Sequence, residues 1–134
     1  MIFTEVEIIL YVEDQARSRD LYAALLGLVP TLDVPGMTEF TLSDRVKLGL
    51  MPNSGIATIL GDMMPHPRSG TGIPRCELYL RVADVEQTYS NALSAGARSV
   101  SAPARRSWGD VVCYVADYDG HIIAFAKASD IDYL

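Results

Sequence analysis

Long hydrophobic runs are missing from this chain of 134 residues. No apolar stretch approaches the roughly 20 residues that a bilayer-spanning helix needs, so composition argues against a membrane protein. The segment MIFTEVEIIL at the amino terminus also lacks the basic region and the small-residue cleavage site of a secretory signal peptide. We therefore expect no membrane association and a cytoplasmic location.

Basic residues are scarce as well. Lys and Arg number 11 against 17 Asp and Glu, which gives a formal net charge of −6 at pH 7. Because binding to a phosphate backbone requires clustered Lys and Arg, this balance argues against a nucleic-acid partner. An acidic surface would suit a cationic ligand, although keeping the protein soluble is the simpler explanation.

Cysteine is rare, with two residues in the chain. Cys76 and Cys113 are too few for a disulfide framework. Both fall in predicted strands of the second half, and we expect them to be buried thiols that behave as small hydrophobic side chains.

The composition that remains is globular, with 49% hydrophobic and 21% charged residues. Its most informative segment is residues 6–27, which predicts a strand followed by a helix. Residues 6–12 are rich in β-branched and bulky apolar side chains. Asp14 stands at the N-cap position of the helix and Gly27 at its C-cap position.

This strand–helix segment occurs twice. Residues 76–97 repeat it, with Glu7 matching Glu77 and Asp14 matching Asp84 at one constant offset. Asp84 is followed three residues later by Gln87, which resembles a capping box. A repeat of this length predicts the architecture of the whole chain.

The segments after each helix read as three short strands. In the first half these strands are predicted at residues 29–32, 37–42 and 46–51, with a short helix possible at residues 56–62. In the second half they are predicted at residues 99–102, 111–116 and 121–127. The sequence therefore predicts one α+β domain over residues 1–134, built from two βαβββ modules with pseudo-two-fold symmetry. Module one covers residues 1–52, a linker 53–75, module two 76–127 and a tail 128–134. Curled mixed sheets should surround a cavity.

Several motifs resemble those of the vicinal oxygen chelate superfamily, which includes glyoxalase I, extradiol dioxygenases and bleomycin-resistance proteins. They are Val12-Glu13-Asp14, then Leu21-Tyr22 and Leu26-Gly27, then Trp108-Gly109, and finally Asp117-Tyr118-Asp119-Gly120-His121. The resemblance covers nearly the whole chain. It implies paired βαβββ modules and a homodimer.

The resemblance also implies where a metal ion would bind. Its four ligand positions correspond to Glu7, to a residue near Gly49, to Glu77 and to Ala124. Glycine and alanine side chains have no donor atoms, so only two carboxylates remain. A catalytic metal ion requires three or four protein ligands.

His66 and His121 do not restore such a site, because one lies in the linker and the other follows a turn. The sequence therefore predicts no metal and no cofactor, and it leaves open whether the protein is an enzyme. The family resemblance is closest in character to the metal-free bleomycin-resistance branch, whose members sequester an antibiotic.

Strand alternation places Glu7 and Glu77 on the cavity side of their strands. Apolar and small residues on the last strand, at 122, 124 and 126, should leave room there. The predicted ligand-binding residues are Glu7, Glu77, Trp108, Phe40, Met51 and Tyr114. Alternatively, one of Arg81, Lys47, Arg105 and Arg106 pairs with the two glutamates.

The sequence thus favours a metal-independent protein that binds or sequesters a small organic molecule, possibly cationic and antibiotic-like. The alternative is a lyase, isomerase or dioxygenase of the same superfamily with an atypical metal site or a glutamate general base. A dimeric interaction module with an empty cavity is a third possibility.

Overall fold

The computed structural model describes residues 1–129, and the chain divides into two compact units. The first unit spans Met1–Thr71 and the second begins at Gly72. None of the helices in residues 1–129 has both the length and the apolar character that crossing a bilayer requires.

The first unit is a four-stranded mixed sheet with helices. Its elements are β1 (Val6–Val12), α1 (Gln15–Leu26), β2 (Leu32–Val34), β3 (Met37–Ser43), β4 (Val46–Pro52) and α2 (Asn53–Leu60), followed by 3₁₀ turns at Gly61–Met63 and Pro67–Gly70. The strand order is β1-β4-β3-β2. β1 runs parallel to β4, and the remaining neighbours are antiparallel.

The second unit has the same topology. Its elements are β5 (Glu77–Arg81), α3 (Val85–Ala95), β6 (Arg98–Arg105), β7 (Asp110–Ala116) and β8 (Ile122–Ala128). The strand order is β5-β8-β7-β6, with β5 parallel to β8 and the other pairs antiparallel. The predicted duplication of a βαβββ module in an α+β fold is confirmed.

Equivalent caps begin and end the two helices that follow β1 and β5. The side chains of Asp14 and Asp84 accept hydrogen bonds from the backbone N–H groups of Arg17 and Gln87, each at 3.0 Å. Gly27 and Gly96 end the helices in the left-handed region, with φ of 65° and 119°.

The capping box predicted at Asp84 is only half present. The Gln87 side chain does not return a hydrogen bond to the cap, because its amide donates to the side chain of Asn91 at 2.9 Å. Gln87 and Asn91 are one helical turn apart, so their side chains are neighbours on the helix surface. The Gln87 side chain therefore bonds to Asn91 instead of to the backbone N–H at the cap.

Several strand boundaries differ from the prediction. The strand expected at residues 29–32 begins only at Leu32, because it pairs with β3 through a tight turn at Pro35 and Gly36. The strand expected at residues 99–102 extends over Arg98–Arg105 and includes Pro103. An edge strand with register shifts tolerates that proline, since its missing N–H leaves no interior ladder bond unmade. Ala128, predicted to begin the tail, ends β8, and residues 130–134 lie outside the described part of the chain.

The core of each unit lies on the helix-facing side of its sheet. In the first unit it includes Leu10, Val12, Leu21, Tyr22, Phe40, Leu48 and Leu50, and in the second Leu78, Val85, Ala92, Cys113, Val115, Ile123 and Phe125. Cys113 is buried as expected, and burial raises the pKa of its thiol. The expectation for Cys76 was wrong: it precedes β5 instead of lying in it, and it is exposed.

Linker residues up to Thr71 belong to the first unit. The guanidinium of Arg68 forms an ion pair with the Glu13 carboxylate, with Nη2 2.6 Å from Oε1. The Asn53 amide donates to the same carboxylate at 3.1 Å. These hydrogen bonds, that of Arg68 first, lower the pKa of Glu13 to about 2.

Candidate functional site

The open face of the first sheet, opposite α1, carries two carboxylates that meet over a glycine. Gly49 of β4 pairs with Ile9 of β1 on one side and with Glu39 of β3 on the other. A Cβ atom placed on Gly49 would lie 2.5 Å from Oε2 of Glu7. The Glu7 carboxylate therefore occupies the space that a side chain at position 49 would fill.

Burial and charge act together on this carboxylate. Oε2 of Glu7 is buried and has no hydrogen-bond partner in the structure. The pKa of Glu7 is raised, first by burial and then by Glu39, since a protonated Glu7 can donate to the Glu39 carboxylate whereas two carboxylates only repel. Lys47 opposes this shift, but its Nζ already pairs with Oε1 of Glu5 at 3.2 Å.

Sequence reasoning did not identify Glu39. The strand pattern of β3 mixes polar and apolar residues on both faces, so alternation alone does not mark Glu39 as a site residue. The register of β3 against β4, which places Glu39 opposite Gly49, is what brings it to Glu7. That register depends on the chain reversal at residues 44–45 and on the bulge near Ser43.

The open face of the second sheet has a different character. Tyr79 and Tyr114 pack over a fully buried cluster of Val112, Ala124 and Ala126. Both tyrosines pair with Ala124 in the strand register. The room that the small residues of β8 were expected to leave is therefore filled by two phenol rings from the neighbouring strands.

Glu77 does not share the environment of Glu7. It is exposed, and its charge acts on Tyr114, whose pKa is raised by burial and then by Glu77. Tyr114 is the counterpart of Glu39 in the second unit. Tyr114 lies opposite Ala124 of β8, as Glu39 lies opposite Gly49 of β4. The matched glutamates thus face a carboxylate in one unit and a phenol in the other.

A hydrogen-bonded cluster lies at the end of the same face. Asp110 is buried, and its Oδ2 accepts from the Tyr79 hydroxyl at 2.5 Å and pairs with Nη2 of Arg81 at 3.1 Å. The indole N–H of Trp108 donates to the Tyr79 oxygen at 2.9 Å. The bonds from Tyr79 and then Arg81 lower the pKa of Asp110, and burial followed by the bond to Asp110 raises that of Tyr79.

The structure separates the other predicted site residues. Trp108 is 57% exposed and Met51 is half-buried on the open face of the first sheet, alternating with the buried Leu50. Phe40 is fully buried and shares the helix-facing side of β3 with Thr38, which accepts a hydrogen bond from Gln15 of α1. Phe40 is therefore a core residue, which corrects its prediction as a ligand-binding residue.

Three of the four cations considered as partners for the glutamates are engaged elsewhere. Arg81 pairs with Asp110, and Lys47 with Glu5. Arg106 donates to the carbonyl oxygen of Val112 and to other neutral acceptors. None of these three cations forms an ion pair with Glu7 or Glu77.

The residues present do not fit the metal site that the family resemblance implies. Within residues 1–129, no three His, Cys, Asp or Glu side chains come together as a metal ion would require. Gly49 lies beneath Glu7, and Ala124 lies beneath two tyrosines. We therefore derive no chemical step through a metal ion.

Known proteins of similar sequence and structure match this chain over most of its length. An uncharacterized protein of Mycobacterium bovis is 31% identical over 115 residues, covering 84% of this chain and 75% of its own. A glyoxalase-related enzyme from Fulvimarina pelagi has the same fold, with a TM-score of 0.79 at 21% identity over 94% of this chain and 88% of its own. A protein from Agrobacterium tumefaciens matches with a TM-score of 0.75 at 27% identity, over 96% and 99% of the two chains.

The sequence model of the glyoxalase/bleomycin resistance protein/dioxygenase superfamily matches residues 6–125, from the start of β1 into β8. This match covers nearly all of both βαβββ modules and, except for Ala126, the residues of the two open faces described above. The chain belongs to the glyoxalase/bleomycin resistance protein/dioxygenase superfamily.

Proposed function

We propose that this protein binds a small organic molecule with a cationic or donor-rich head, without using a metal ion. The observation that carries the proposal is the buried Oε2 of Glu7, which has no donor and lies beside a second carboxylate, Glu39. A buried carboxylate oxygen without a hydrogen bond is costly. A ligand that brings an N–H group to this pair supplies the missing donor.

The surroundings of the pair suit an organic ligand. Ile9 and Met37 lie within reach of Gly49 on the same face, at 3.1 and 3.3 Å from a Cβ placed there. Met51 lies further along the same strand face. Methionine side chains adapt to ligands of irregular shape, and the two carboxylates orient a positive group.

Bleomycin-resistance proteins are among the members that the family description names. Sequestration of a basic antibiotic is therefore our specific proposal for the ligand class. Within the second unit by itself, we propose that Glu77 beside Tyr114 offers a separate polar anchor for a ligand of this class.

A ligand screen tests this proposal. Basic glycopeptide and aromatic antibiotics should include one that raises the melting temperature of the wild type, with the same affinity in the presence of EDTA. The shift should disappear in Glu7→Gln and Glu39→Gln and persist in Glu86→Gln, an exposed glutamate on α3.

Three outcomes of the screen would contradict the proposal. A hit that survives both substitutions would place the ligand elsewhere. A hit that chelation abolishes would require a metal ion. No hit across the panel would leave the carboxylate pair without a binding role.

A second candidate is proton abstraction by Glu7. The raised pKa of Glu7 brings its proton affinity closer to neutral pH, which suits a general base for enolisation. In that case, exchange of solvent deuterium into the α-carbon of a bound carbonyl compound should be catalysed by the wild type and lost in Glu7→Gln. Absence of exchange across a carbonyl panel would exclude this candidate.

We also propose that the protein is a homodimer. On the open face of its sheet the first strand exposes two apolar side chains, Ile9 at 39% and Tyr11 at 37%. Such an apolar surface on a sheet is typical of a face that another chain covers. Sedimentation should give twice the chain mass of 14.6 kDa at micromolar concentration, and a monomer would contradict the proposal.

A further inference from the structure

A shallow depression on the second unit is independent of the carboxylate pair. It is lined by Arg105, Arg106, Ser107, Trp108 and Gly109, which form the end of β6 and the turn into β7. Its lining therefore combines two arginines and a tryptophan within five consecutive residues.

The indole of Trp108 is exposed but anchored. More than half of the residue is exposed, at 57%, yet its N–H donates to the Tyr79 hydroxyl at 2.9 Å. Tyr79 is itself bonded to the buried carboxylate of Asp110. Because the polar edge of the ring is engaged, its apolar face remains available for stacking without first losing conformational freedom.

Arg106 provides a positive charge that no carboxylate neutralises. Its Nε and Nη2 donate to three neutral acceptors, the carbonyl oxygens of Val112 and Ala102 and the Ser101 hydroxyl. Its guanidinium also stacks on Tyr114, with 5.2 Å from Cζ to the ring centroid. Within residues 1–129 no ion pair includes Arg106, and its Nη1 has no hydrogen bond.

The nearest carboxylate does not reverse this charge. Oδ2 of Asp110 accepts from the Tyr79 hydroxyl and pairs with Nη2 of Arg81, so the charge of this carboxylate is already balanced by Arg81. A guanidinium fixed by neutral partners keeps its attraction for an anion, and Nη1 of Arg106 is the nitrogen left to donate to a carboxylate. A cation placed on the indole would instead meet the positive charge of Arg106.

We propose that this depression binds a planar aromatic anion, with its ring on Trp108 and its carboxylate at Arg106. This site lies wholly within the second unit, and it goes beyond the proposed role of Glu7 and Glu39. Its ligand has the opposite charge from the ligand proposed for that pair.

The test uses the fact that Trp108 is the only tryptophan of the chain. Its fluorescence therefore reports this depression alone. Benzoate, benzamide and benzylamine carry the same ring with a negative, neutral and positive group. Benzoate should quench Trp108 with an affinity about tenfold higher than benzamide, the difference that one charge-assisted hydrogen bond provides, and benzylamine should bind more weakly than benzamide.

Substitutions then identify the residue that supplies the positive charge for benzoate. Arg106→Gln should lower the benzoate affinity about tenfold and leave benzamide unchanged. Arg98→Gln, which removes an exposed arginine from the far end of the same strand, is the matched control and should change neither affinity. Trp108→Ala, followed by calorimetry, should abolish binding of both compounds.

A measurement on the wild type covers the case in which Arg106→Gln does not fold. Raising the ionic strength should weaken the binding of benzoate but not that of benzamide. Equal affinity for the two compounds, stronger binding of benzylamine, an equal effect of Arg98→Gln, or no quenching at millimolar concentration would each overturn the proposal.

Discussion

Replacing Glu7 with glutamine should stabilise the folded protein at neutral pH, although Glu7 is the residue on which the proposed function rests. In the wild type, Oε2 of Glu7 is buried without a donor beside Glu39. Glutamine has nearly the same shape and brings an N–H group that can donate to the Glu39 carboxylate. A single hydrogen bond of this kind contributes about 1 kcal/mol net to the free energy of unfolding.

The raised pKa of Glu7 determines how the stability of the folded protein changes with pH. The folded-state pKa of Glu7 lies above its ordinary value of 4.5. As the pH rises from about 4.5, the unfolded chain releases the Glu7 proton first, so the folded state binds more protons and its stability falls. Below that pH, protonated Glu7 donates to Glu39 much as glutamine would. The two proteins should therefore agree at about pH 4 and diverge at about pH 8.

Urea denaturation at the two pH values measures the difference. A gain of about 1 kcal/mol moves the midpoint upward by roughly 0.3–1 M at ordinary slopes. Glu77→Gln is the matched control, because Glu77 is exposed at the equivalent position, and its stability should change by less than about 0.5 kcal/mol. A Glu7→Gln protein that is equally or less stable than the wild type at pH 8 would refute the account of the carboxylate pair.

Two further substitutions test other contacts. Gly49→Ala should destabilise the folded protein by about 1 kcal/mol, because its Cβ would lie 2.5 Å from Oε2 of Glu7. In denaturation experiments, the double variant with Glu7→Ala should lose less stability than the sum of the two single losses. Arg68→Ala should return the pKa of Glu13 from about 2 toward 4.5, which NMR titration of the carboxyl group would show. The contribution of Glu13 to stability, present above pH 4.5 and lost as the pH falls toward 2, should then be smaller in the variant, where Asn53 still donates to the carboxylate, and an unchanged titration would contradict the ion pair.

Local patterns were sufficient to predict the backbone of this protein. The apolar alternation of β1 and β5 and the caps at Asp14 and Asp84 depend on residues near one another in sequence. Because each pattern occurs twice at one offset, errors in the first copy can be checked against the second. The boundaries that differed lie where the repeat is weakest, in the short strand before Gly36 and in the edge strand containing Pro103.

The chemistry of the two faces depends on pairing that no local pattern shows. Asp110 was predicted to precede a strand beginning at Val111, so its buried carboxylate was not recognised as a site residue. Phe40 shares its side of the strand with the buried but polar Thr38, so the sequence pattern does not show that this side faces the helix. The expectations of a cytoplasmic location and of no nucleic-acid partner rest on composition and stay predictions.

The two central strands explain why a repeated sequence produced two different faces. Gly49 and Ala124 occupy equivalent registers, each opposite Ile9 or Tyr79 on the parallel neighbour. Without a Cβ atom at Gly49, the first glutamate folds inward onto the sheet.

With a methyl group at 124, covered by two tyrosines, the second glutamate remains outside. One methyl group thus separates a buried carboxylate that requires a donor from an exposed carboxylate that does not. The polar character of each face follows from that difference more than from the glutamates themselves.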